Sequence, residues 1–317
     1  MTTVGQTQDG SSALGLPVGA QRKVMKQSTR EALYGYAMLS PWLIGFLVFV
    51  LFPMVASLVI GMFRTDFLTS WEFVGLYYYK SVVADVLVRK ALLNTAYFSL
   101  VSVPLSTILA LSIAVMLNQG IKGQSIWRTI YYLPSVVSGV AVALLWRWLY
   151  EPEMGLFNTV LRGLGVDNPP RWVFSEQWAM PSLIIMALWG AGAPMLIYLA
   201  GLRGIPTALY EAAEIDGASS FRRFFTITLP LLTPTIFFNV VLSIIGSWQI
   251  FTQALIMADG GPNNATLTAV LHLYRTGFRN AYFGYASAQA WFLFLIILVF
   301  VLMALRSAKS WVHYERV

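Results

Sequence analysis

The residue types that usually perform chemistry in proteins are scarce in this chain of 317 residues. It contains no cysteine and only two histidines, His272 and His313. Disulfides, thiolate metal sites and cysteine nucleophiles are therefore excluded, and two histidines are too few for a histidine-rich metal site. The sequence has no phosphate-binding P-loop and no paired acids that would indicate an enzyme. We therefore expect no catalysis, no metal and no cofactor bound by this chain.

The carboxylates that do cluster lie in one polar segment between two apolar runs. Residues 211–217 read EAAEIDG, and after nine intervening residues the chain continues with ITLP at residues 227–230. Taken singly, Glu211, Glu214 and Asp216 are typical of a solvated loop face. Their grouping with alanines and a glycine also suits a contact surface for a soluble protein.

Local sequence signals give this segment a defined shape. Residues 207–215 and 221–228 favour two short helices, and Gly217 between them supplies a turn where φ can be positive. Ser219 or Ser220 can cap the second helix. The loop at residues 203–229 is therefore predicted to form a helical elbow, with Pro230 opening the next apolar run.

The rest of the chain has the composition of a membrane protein. Hydrophobic residues make up 57% of it, charged residues 11%, and the mean hydropathy is +0.67, whereas soluble domains carry about 25% charged residues. Spans must be helical and need about 20 apolar residues. Six runs approach that length: 36–62, 92–117, 130–149, 178–202, 231–257 and 288–305. The predicted fold is an all-α, polytopic membrane protein.

The polar ends and the charges predict the orientation. Residues 1–30 are predicted to form a disordered cytoplasmic tail before a transmembrane domain at residues 31–317. If the N-terminus lies inside, the inner segments carry more Lys and Arg than the outer ones. We therefore expect both termini and the 203–229 loop to be cytoplasmic. This asymmetry explains the net charge of +7, so the expected surroundings are a lipid bilayer and no nucleic acid.

The spacing of the polar segment resembles a known family. The pattern E-A-A-x3-G-x9-I-x-L-P is similar to the cytoplasmic loop by which the permease subunit of a bacterial ATP-binding-cassette (ABC) importer docks on its ATPase. Residues 259–266 (DGGPNNAT) and 283–288 (FGYASA) resemble the outer loop of carbohydrate permeases of the maltose and glycerol-3-phosphate type. Residues 39–45 (LSPWLIG) are similar to the first of the two paired permease subunits. The resemblance covers roughly residues 35–306.

This resemblance implies a six-helix type I importer permease fold with a coupling helix between spans four and five. It implies that Ala212, Ala213 and Gly217 pack into a cleft on the ATPase, where Glu211 and Asp216 make polar contacts. The implied partners are a second homologous permease, two ATPase subunits that use ATP and Mg, and an extracytoplasmic sugar-binding protein. The implied location is the bacterial cytoplasmic membrane.

A stripe of polar and small residues follows the fifth predicted span. At 100° per residue, one side of that helix presents Asn239, Ser243, Gly246, Ser247, Ile250 and Gln253. Such a stripe indicates either a substrate path or close helix packing. The family's substrate contacts map onto Ser243, Gly246, Ser247 and Ile250, and onto Trp189 and Gly190 in span four.

The remaining candidates are weaker. Trp189 could stack on a sugar ring, or it could be a large apolar side chain that faces lipid. Trp248 and Gln249 lie off the stripe and are expected to touch the partner subunit or lipid. Asn94 and Gln289 are minor candidates for substrate contact, and His272 is expected to be structural or exposed.

The substrate class follows from the charges of the spans. A sugar, taken as a di- or oligosaccharide, needs neutral hydrogen-bonding groups and an aromatic face. Glycerol 3-phosphate or another polyol is the alternative, but a phosphate would need a cation, and Arg147 near the end of span three is the nearest one. An ion-coupled transporter would need a carboxylate within a span, and no predicted span contains one. The expected function is therefore sugar import by alternating access.

Overall fold

The computed structural model describes residues 27–313 and is almost entirely helical in that range. Of the predicted tail at residues 1–30, only the last four residues are described, and they belong to a helix. The helices in chain order are α1 (Gln27–Phe46), α2 (Phe52–Ile60), α3 (Tyr77–Ala84), α4 (Val86–Asn118), α5 (Gln124–Val136), α6 (Gly139–Leu149), α7 (Leu156–Gly163), α8 (Ala179–Leu188), α9 (Gly192–Arg203), α10 (Thr207–Ile215), α11 (Ser220–Arg223), α12 (Leu229–Trp248), α13 (Thr252–Ala258), α14 (Ala269–Tyr274) and α15 (Phe283–Trp311).

Short irregular elements connect these helices. Wide π-helical turns occupy Leu47–Leu51, Phe224–Thr228 and Arg275–Arg279, and a 3-10 turn occupies Trp172–Phe174. Two antiparallel strands, β1 (Phe63–Thr65) and β2 (Trp71–Phe73), pair Phe63 with Phe73 and Thr65 with Trp71.

The described chain divides into two units at Met54. The described part of the first consists of α1, the π turn and the first residues of α2. Glu31–Ile60 forms one apolar helix long enough to cross a membrane, and its last residues, from Val55, belong to the second unit. The second unit, from Val55 onward, holds the other membrane-spanning elements. Three of its helices are long enough alone: Val86–Asn118, Ser220–Trp248 and Phe283–Trp311.

Two of the predicted spans are broken helices. The predicted span 130–149 bends by 97° between α5 and α6, and the span 178–202 bends by 42° between α8 and α9. The backbone explains the first break, because Val137 adopts an extended conformation with ψ of 141° that ends α5. Hydropathy measures only apolarity, so it could not reveal either break.

The fifth span is shorter than predicted at its far end. The helix ends at Trp248 and not at residue 257, and α13 is a separate helix. Phe251 has φ of −137° and ψ of −64°, while the hydroxyl of Thr268 donates a hydrogen bond of 2.9 Å to the carbonyl of Ile250. A side chain from another segment thus satisfies a carbonyl that the interrupted helix leaves free.

Small residues in α9 allow close packing against α5 and α12. At Gly192, an added Cβ would overlap the backbone of Tyr131, and at Gly201 it would press on Leu232 and Thr235. These glycines are therefore packing residues of the kind that membrane helices favour. Across the bundle, the hydroxyls of Ser99 in α4 and Ser247 in α12 are 2.7 Å apart.

The two ends of the second unit carry different segments. At one end, the amide of His313 bonds to the hydroxyl of Thr233 near the start of α12, close in sequence to the 203–229 loop. The opposite end therefore carries the β-hairpin, α7, and residues 249–282, which join α12 to α15.

Candidate functional site

A cavity of about 550 Å³ lies among the broken helices of the second unit. It is lined from α4 by Phe98, Ser102, Val103 and Ser106, from the α5–α6 region by Pro134, Val137, Gly139 and Val142, from the α8–α9 region by Met186, Ala187, Trp189 and Gly190, and from α12 onward by Ser243, Gly246, Ser247, Gln249, Ile250 and Gln253. Its volume falls in the range of about 300–1,000 Å³ that is usual for small-molecule sites.

The three helix breaks of this unit all meet at this cavity. Val137 and Gly139 lie at the break between α5 and α6. Trp189 and Gly190 form the break between α8 and α9. Gln249 and Ile250 lie in the break between α12 and α13. Irregular backbone at membrane depth is tolerated where it lines a cavity or is buried in protein. Broken helices around a central site are also the arrangement that transporters use to present polar groups to a substrate.

Six of the seven residues that the sequence proposes for substrate contact line this cavity: Ser243, Gly246, Ser247, Ile250, Trp189 and Gly190. Asn239 does not, although it was placed on the same stripe. It lies about one turn along α12 from Ser243, is buried, and donates from Nδ2 to the carbonyl of Thr235 at 3.0 Å. Because its amide bonds to its own helix, Asn239 is a packing residue in this structure.

The polar groups of the cavity differ in how free they are. The hydroxyl of Ser247 is engaged, because it lies 2.7 Å from Ser99 and also donates to the carbonyl of Ile244 at 2.9 Å. Gln249 and Gln253 make no side-chain hydrogen bond to any other described residue, and each offers two donors and one acceptor. These two amides are therefore free to bond a substrate in the cavity.

The structure corrects the expectations for Trp248 and Gln249. Trp248 is buried inside the unit, where its ring lies 5.1 Å from that of Phe300, so it faces neither lipid nor a partner. Gln249 lines the cavity. A regular helix through residue 257 would point Gln249 away from the stripe, but the break after Trp248 changes the direction of the side chains that follow.

Trp189 is held at the cavity wall by a chain of aromatic rings. Its ring meets Trp146 edge to face, with 5.9 Å between centroids, and Trp146 packs on Tyr150. Tyr150 in turn stacks on Trp172 and donates its hydroxyl to the carbonyl of Ser182. Edge-to-face contacts fix ring orientation, so Trp189 presents a positioned aromatic surface to the cavity.

The cavity has no ionisable side chain among the described residues that line it. Arg147, the cation nearest to a span centre in the sequence, is not one of the lining residues, and its guanidinium donates to the carbonyl of Ile256 at 2.9 Å. The site is therefore polar but neutral.

The 203–229 loop folds as a helix, a turn and a second helix. Helix α10 ends at Ile215, Gly217 has φ of +74°, and Ser219 caps the next helix by accepting from the amide of Arg222. Glu214 pairs with Arg223 at 2.9 Å, and the hydroxyls of Tyr210 and Thr228 are 2.9 Å apart. These contacts hold the two arms of the elbow together.

The second arm is longer than predicted. Helix α11 continues through the π turn into α12, and Ser220–Trp248 is one helix with Pro230 inside it, so Pro230 does not open a new element. A proline in the first turn after a π segment is accommodated because the wide turn already interrupts the regular hydrogen bonds. The second arm of the elbow is thus a rigid extension of span five.

The predicted contact residues of the loop are open to the surroundings. Glu211, Ala212, Asp216 and Gly217 are exposed and Ala213 is half-buried. An added Cβ at Gly217 would meet no described atom within 4 Å. No residue that the structure describes therefore covers the turn.

Comparison with known proteins decides the family. The model of the binding-protein-dependent transport system inner membrane component family matches residues 102–310. The chain belongs to this family. The permease is 40% identical over 297 residues to the probable ABC transporter permease protein YesP of Bacillus subtilis, covering 92% of this chain and 96% of that one.

Two further relatives extend the comparison. The trehalose/maltose transport system permease protein MalF of Thermococcus litoralis is 37% identical over 90% of the permease and 96% of its own length. Among solved structures, a chain of the bacterial alginate ABC transporter in complex with an alginate pentasaccharide-bound periplasmic protein is 26% identical. It superposes with a TM-score of 0.79, covering 89% of the permease and 96% of that chain. The expected all-α fold of an ABC importer permease is confirmed.

The other polar candidates of the permease are structural. Asn94 donates from Nδ2 to the carbonyls of Asn264 and Leu267 and so anchors the loop at residues 259–266. His272 is half-buried, and its Nδ1 lies 3.2 Å from Oε1 of Gln289. Neither Asn94 nor Gln289 lines the 550 Å³ cavity.

The anchored loop is also held by charge. Asp259 pairs with Arg279 at 3.0 Å and with Arg275 at 3.2 Å. Partial burial works in the opposite direction, but the bonds from Arg279 and Arg275 outweigh it and lower the pKa of the Asp259 carboxyl below its usual range. The loop at residues 259–266 thus has a defined conformation at neutral pH.

Proposed function

We propose that this chain is the transmembrane permease subunit of an ATP-driven ABC importer that moves a neutral sugar, a di- or oligosaccharide, through the 550 Å³ cavity. The observation that carries the proposal is the neutral cavity at the meeting of three helix breaks, with free amides and one positioned tryptophan. Sugar hydroxyls need donors and acceptors together, and the apolar face of a sugar ring packs well on an aromatic surface. The named relatives include a trehalose/maltose permease, which agrees with this substrate class.

The neutral lining argues against the other substrates. Glycerol 3-phosphate carries a dianionic group that protein sites usually meet with Arg or Lys, and the described lining offers neither. An ion-coupled transporter would use a carboxylate at membrane depth. Within the described spans, the one acidic residue is Glu31, at the very start of the first.

The exposed elbow is the proposed contact with the ATPase. Ala212, Ala213 and Gly217 would lie in a cleft of that subunit because small side chains let the two backbones approach closely. Glu211 and Asp216 would add polar contacts at its edge. Since the second arm is continuous with α12, a movement of the ATPase would be transmitted directly to the helix that carries Ser243 and Gly246.

This arrangement sets the proposed assembly and orientation. The elbow and both termini face the cytoplasm, and the loop at residues 259–266 faces outward. The partners are a second homologous permease, two ATPase subunits that bind ATP and Mg, and an extracytoplasmic sugar-binding protein. The permease itself contributes no catalytic group.

Uptake of a panel of labelled disaccharides tests this function. Cells that contain the chain should take up at least one neutral sugar, and both deletion of the chain and depletion of ATP should abolish that uptake. Uptake that survives ATP depletion but collapses with the ion gradient would contradict the proposal, as would uptake of glycerol 3-phosphate alone.

Replacing both free amides, Gln249→Leu with Gln253→Leu, should lower sugar uptake at sub-saturating sugar about tenfold or more. Each lost hydrogen bond to a buried sugar hydroxyl costs about 0.5–1.5 kcal/mol, and 1.4 kcal/mol corresponds to a factor of about ten. ATP hydrolysis by the assembled transporter without sugar should remain unchanged. The matched control is Gln177→Leu, at an exposed glutamine outside the cavity; equal uptake in the double variant and the control would refute the role of the amides.

A further inference from the structure

The β-hairpin at residues 63–73 exposes apolar side chains outside the membrane spans. Leu68 at its tip is 90% exposed, Phe73 is 67% exposed and Trp71 is 54% exposed. Water-facing hairpin tips usually carry Gly, Asn, Asp or Ser. An apolar tip of this kind therefore indicates that the hairpin has a partner other than water.

The two faces of the hairpin differ. Side chains alternate along a strand, so the aromatic residues Phe63, Trp71 and Phe73 share one face, where Phe63 packs against both other rings at 5.3–5.8 Å. The opposite face carries Arg64 and Glu72, which form an ion pair at 2.9 Å. The hairpin is amphipathic.

The charges of the hairpin are satisfied within it. Besides the Arg64–Glu72 pair, the carboxylate of Asp66 accepts hydrogen bonds from the Thr69 hydroxyl and from the amides of Leu68 and Thr69. These bonds hold the pKa of Asp66 well below its usual range. A hairpin whose charged groups are ion-paired or hydrogen-bonded internally loses less hydration when its apolar face leaves water.

The tip is fixed by a strained backbone. Phe67 has φ of +64°, a conformation that bulky residues rarely adopt. Its ring packs on Phe283 at 4.7 Å and on Trp71 at 5.4 Å. Because the packing of its ring enforces the backbone conformation of Phe67, the next residue, Leu68, is left exposed at the tip. Strained residues that the surroundings enforce often mark functional contacts.

Helix α15 sets the depth of the hairpin. Counting back from Arg306, the first charged residue at the far end of α15, about 20 residues or 30 Å of hydrocarbon reach Ala286. Phe283 then lies about 4–5 Å beyond the hydrocarbon core at a rise of 1.5 Å per residue. Strand β1 crosses α15 there, because an added Cβ at Gly284 would overlap the carbonyl oxygen of Phe63. The hairpin is therefore level with the lipid headgroups.

We infer that the β-hairpin is an interfacial anchor whose aromatic face and tip insert into the lipid headgroup region on the side of the membrane opposite the elbow. Tryptophan and other aromatic residues favour this depth. The neighbouring exposed residues Phe278 and Tyr282 continue the same apolar surface. The anchor would hold the start of α15, and through it the attached outer loop, at a fixed height while the helices around the cavity move.

The absence of cysteine in the sequence makes a direct test possible. Leu68→Cys gives the permease its single thiol at an exposed position. The purified permease is labelled there with a nitroxide before assembly, and the label then reports its surroundings in the complete transporter. The transporter is reconstituted in vesicles of phosphatidylethanolamine and phosphatidylglycerol. Collision rates with oxygen, which concentrates in lipid, are compared with those of a water-soluble nickel chelate.

The matched control is Asn168→Cys, an exposed polar loop position at the same end of the bundle. We expect oxygen to dominate at position 68 and the nickel chelate to dominate at position 168, with a several-fold difference in their ratio. Dominance of nickel at both positions would overturn the inference. If position 68 were open to nickel and became protected only when the extracytoplasmic binding protein was added, the hairpin would be a protein docking site and not a lipid anchor.

Discussion

Replacing Gly217 by valine should reduce sugar uptake to background while the protein still inserts into the membrane. Gly217 has φ of +74°, and a residue with a Cβ pays about 1–2 kcal/mol in this region, more when it is β-branched. No described atom lies within 4 Å of an added Cβ, so the bundle itself has room for the side chain. The loss would come from the docked ATPase, whose surface must approach the turn closely.

Three measurements separate these effects: uptake, the amount of permease in membranes, and co-purification of the ATPase subunits. Gly217→Asn is the matched variant, because asparagine adopts positive φ more readily than valine. Loss of uptake with both variants would identify close approach as the cause, and loss with valine alone would identify the shape of the turn. Normal uptake with Gly217→Val would refute the assignment of residues 203–229 as the coupling element.

The elbow was predictable because its signals are local. A helix-forming stretch, a glycine where φ must be positive and a serine cap lie within about a dozen residues, and the structure uses Gly217 and Ser219 as predicted. The continuation of α11 into α12 was missed because Pro230 usually marks a helix start. A π turn before Pro230 lets the helix continue through the proline, and the local sequence does not predict such a turn.

The cavity could be predicted only in part, because its shape depends on contacts between distant segments. Helical periodicity placed Ser243, Gly246 and Ser247 on one side of α12, and this holds up to Trp248. Beyond Trp248 the helix ends, and the hydroxyl of Thr268 donates a hydrogen bond to the carbonyl of Ile250. Residues 18 positions apart along the chain make that bond, so a window of local hydropathy cannot detect it.

Contacts between distant segments also decide which glycines pack and which leave space. Glycine in a membrane helix indicates either close helix contact or an open path, and the sequence alone left both alternatives for Gly246. The structure separates them, because an added Cβ at Gly192 would overlap the backbone of Tyr131, whereas at Gly246 it would meet no described atom within 4 Å. Within this chain, Gly246 therefore leaves room at the cavity.

Filling this space should block transport without unfolding the permease. In Gly246→Leu, the new side chain would project into the 550 Å³ cavity from the last turn of α12, and glycine in a helix interior is itself about 0.5–1 kcal/mol less stable than alanine. We expect uptake of the imported sugar to fall to background. Thermal stability of the purified transporter should be unchanged or slightly higher.

Two control variants separate a blocked cavity from a general effect of the substitution. Gly246→Ala adds one methyl group and should retain most uptake, because a methyl group fills only a small part of a cavity wide enough for a sugar. Gly163→Leu makes the same substitution at the end of α7, outside the cavity and also without a described atom within 4 Å of the added Cβ, and should transport normally. If Gly246→Leu transported as well as these two, the sugar would not pass this cavity. If it lost uptake together with thermal stability, Gly246 would instead pack against the second permease.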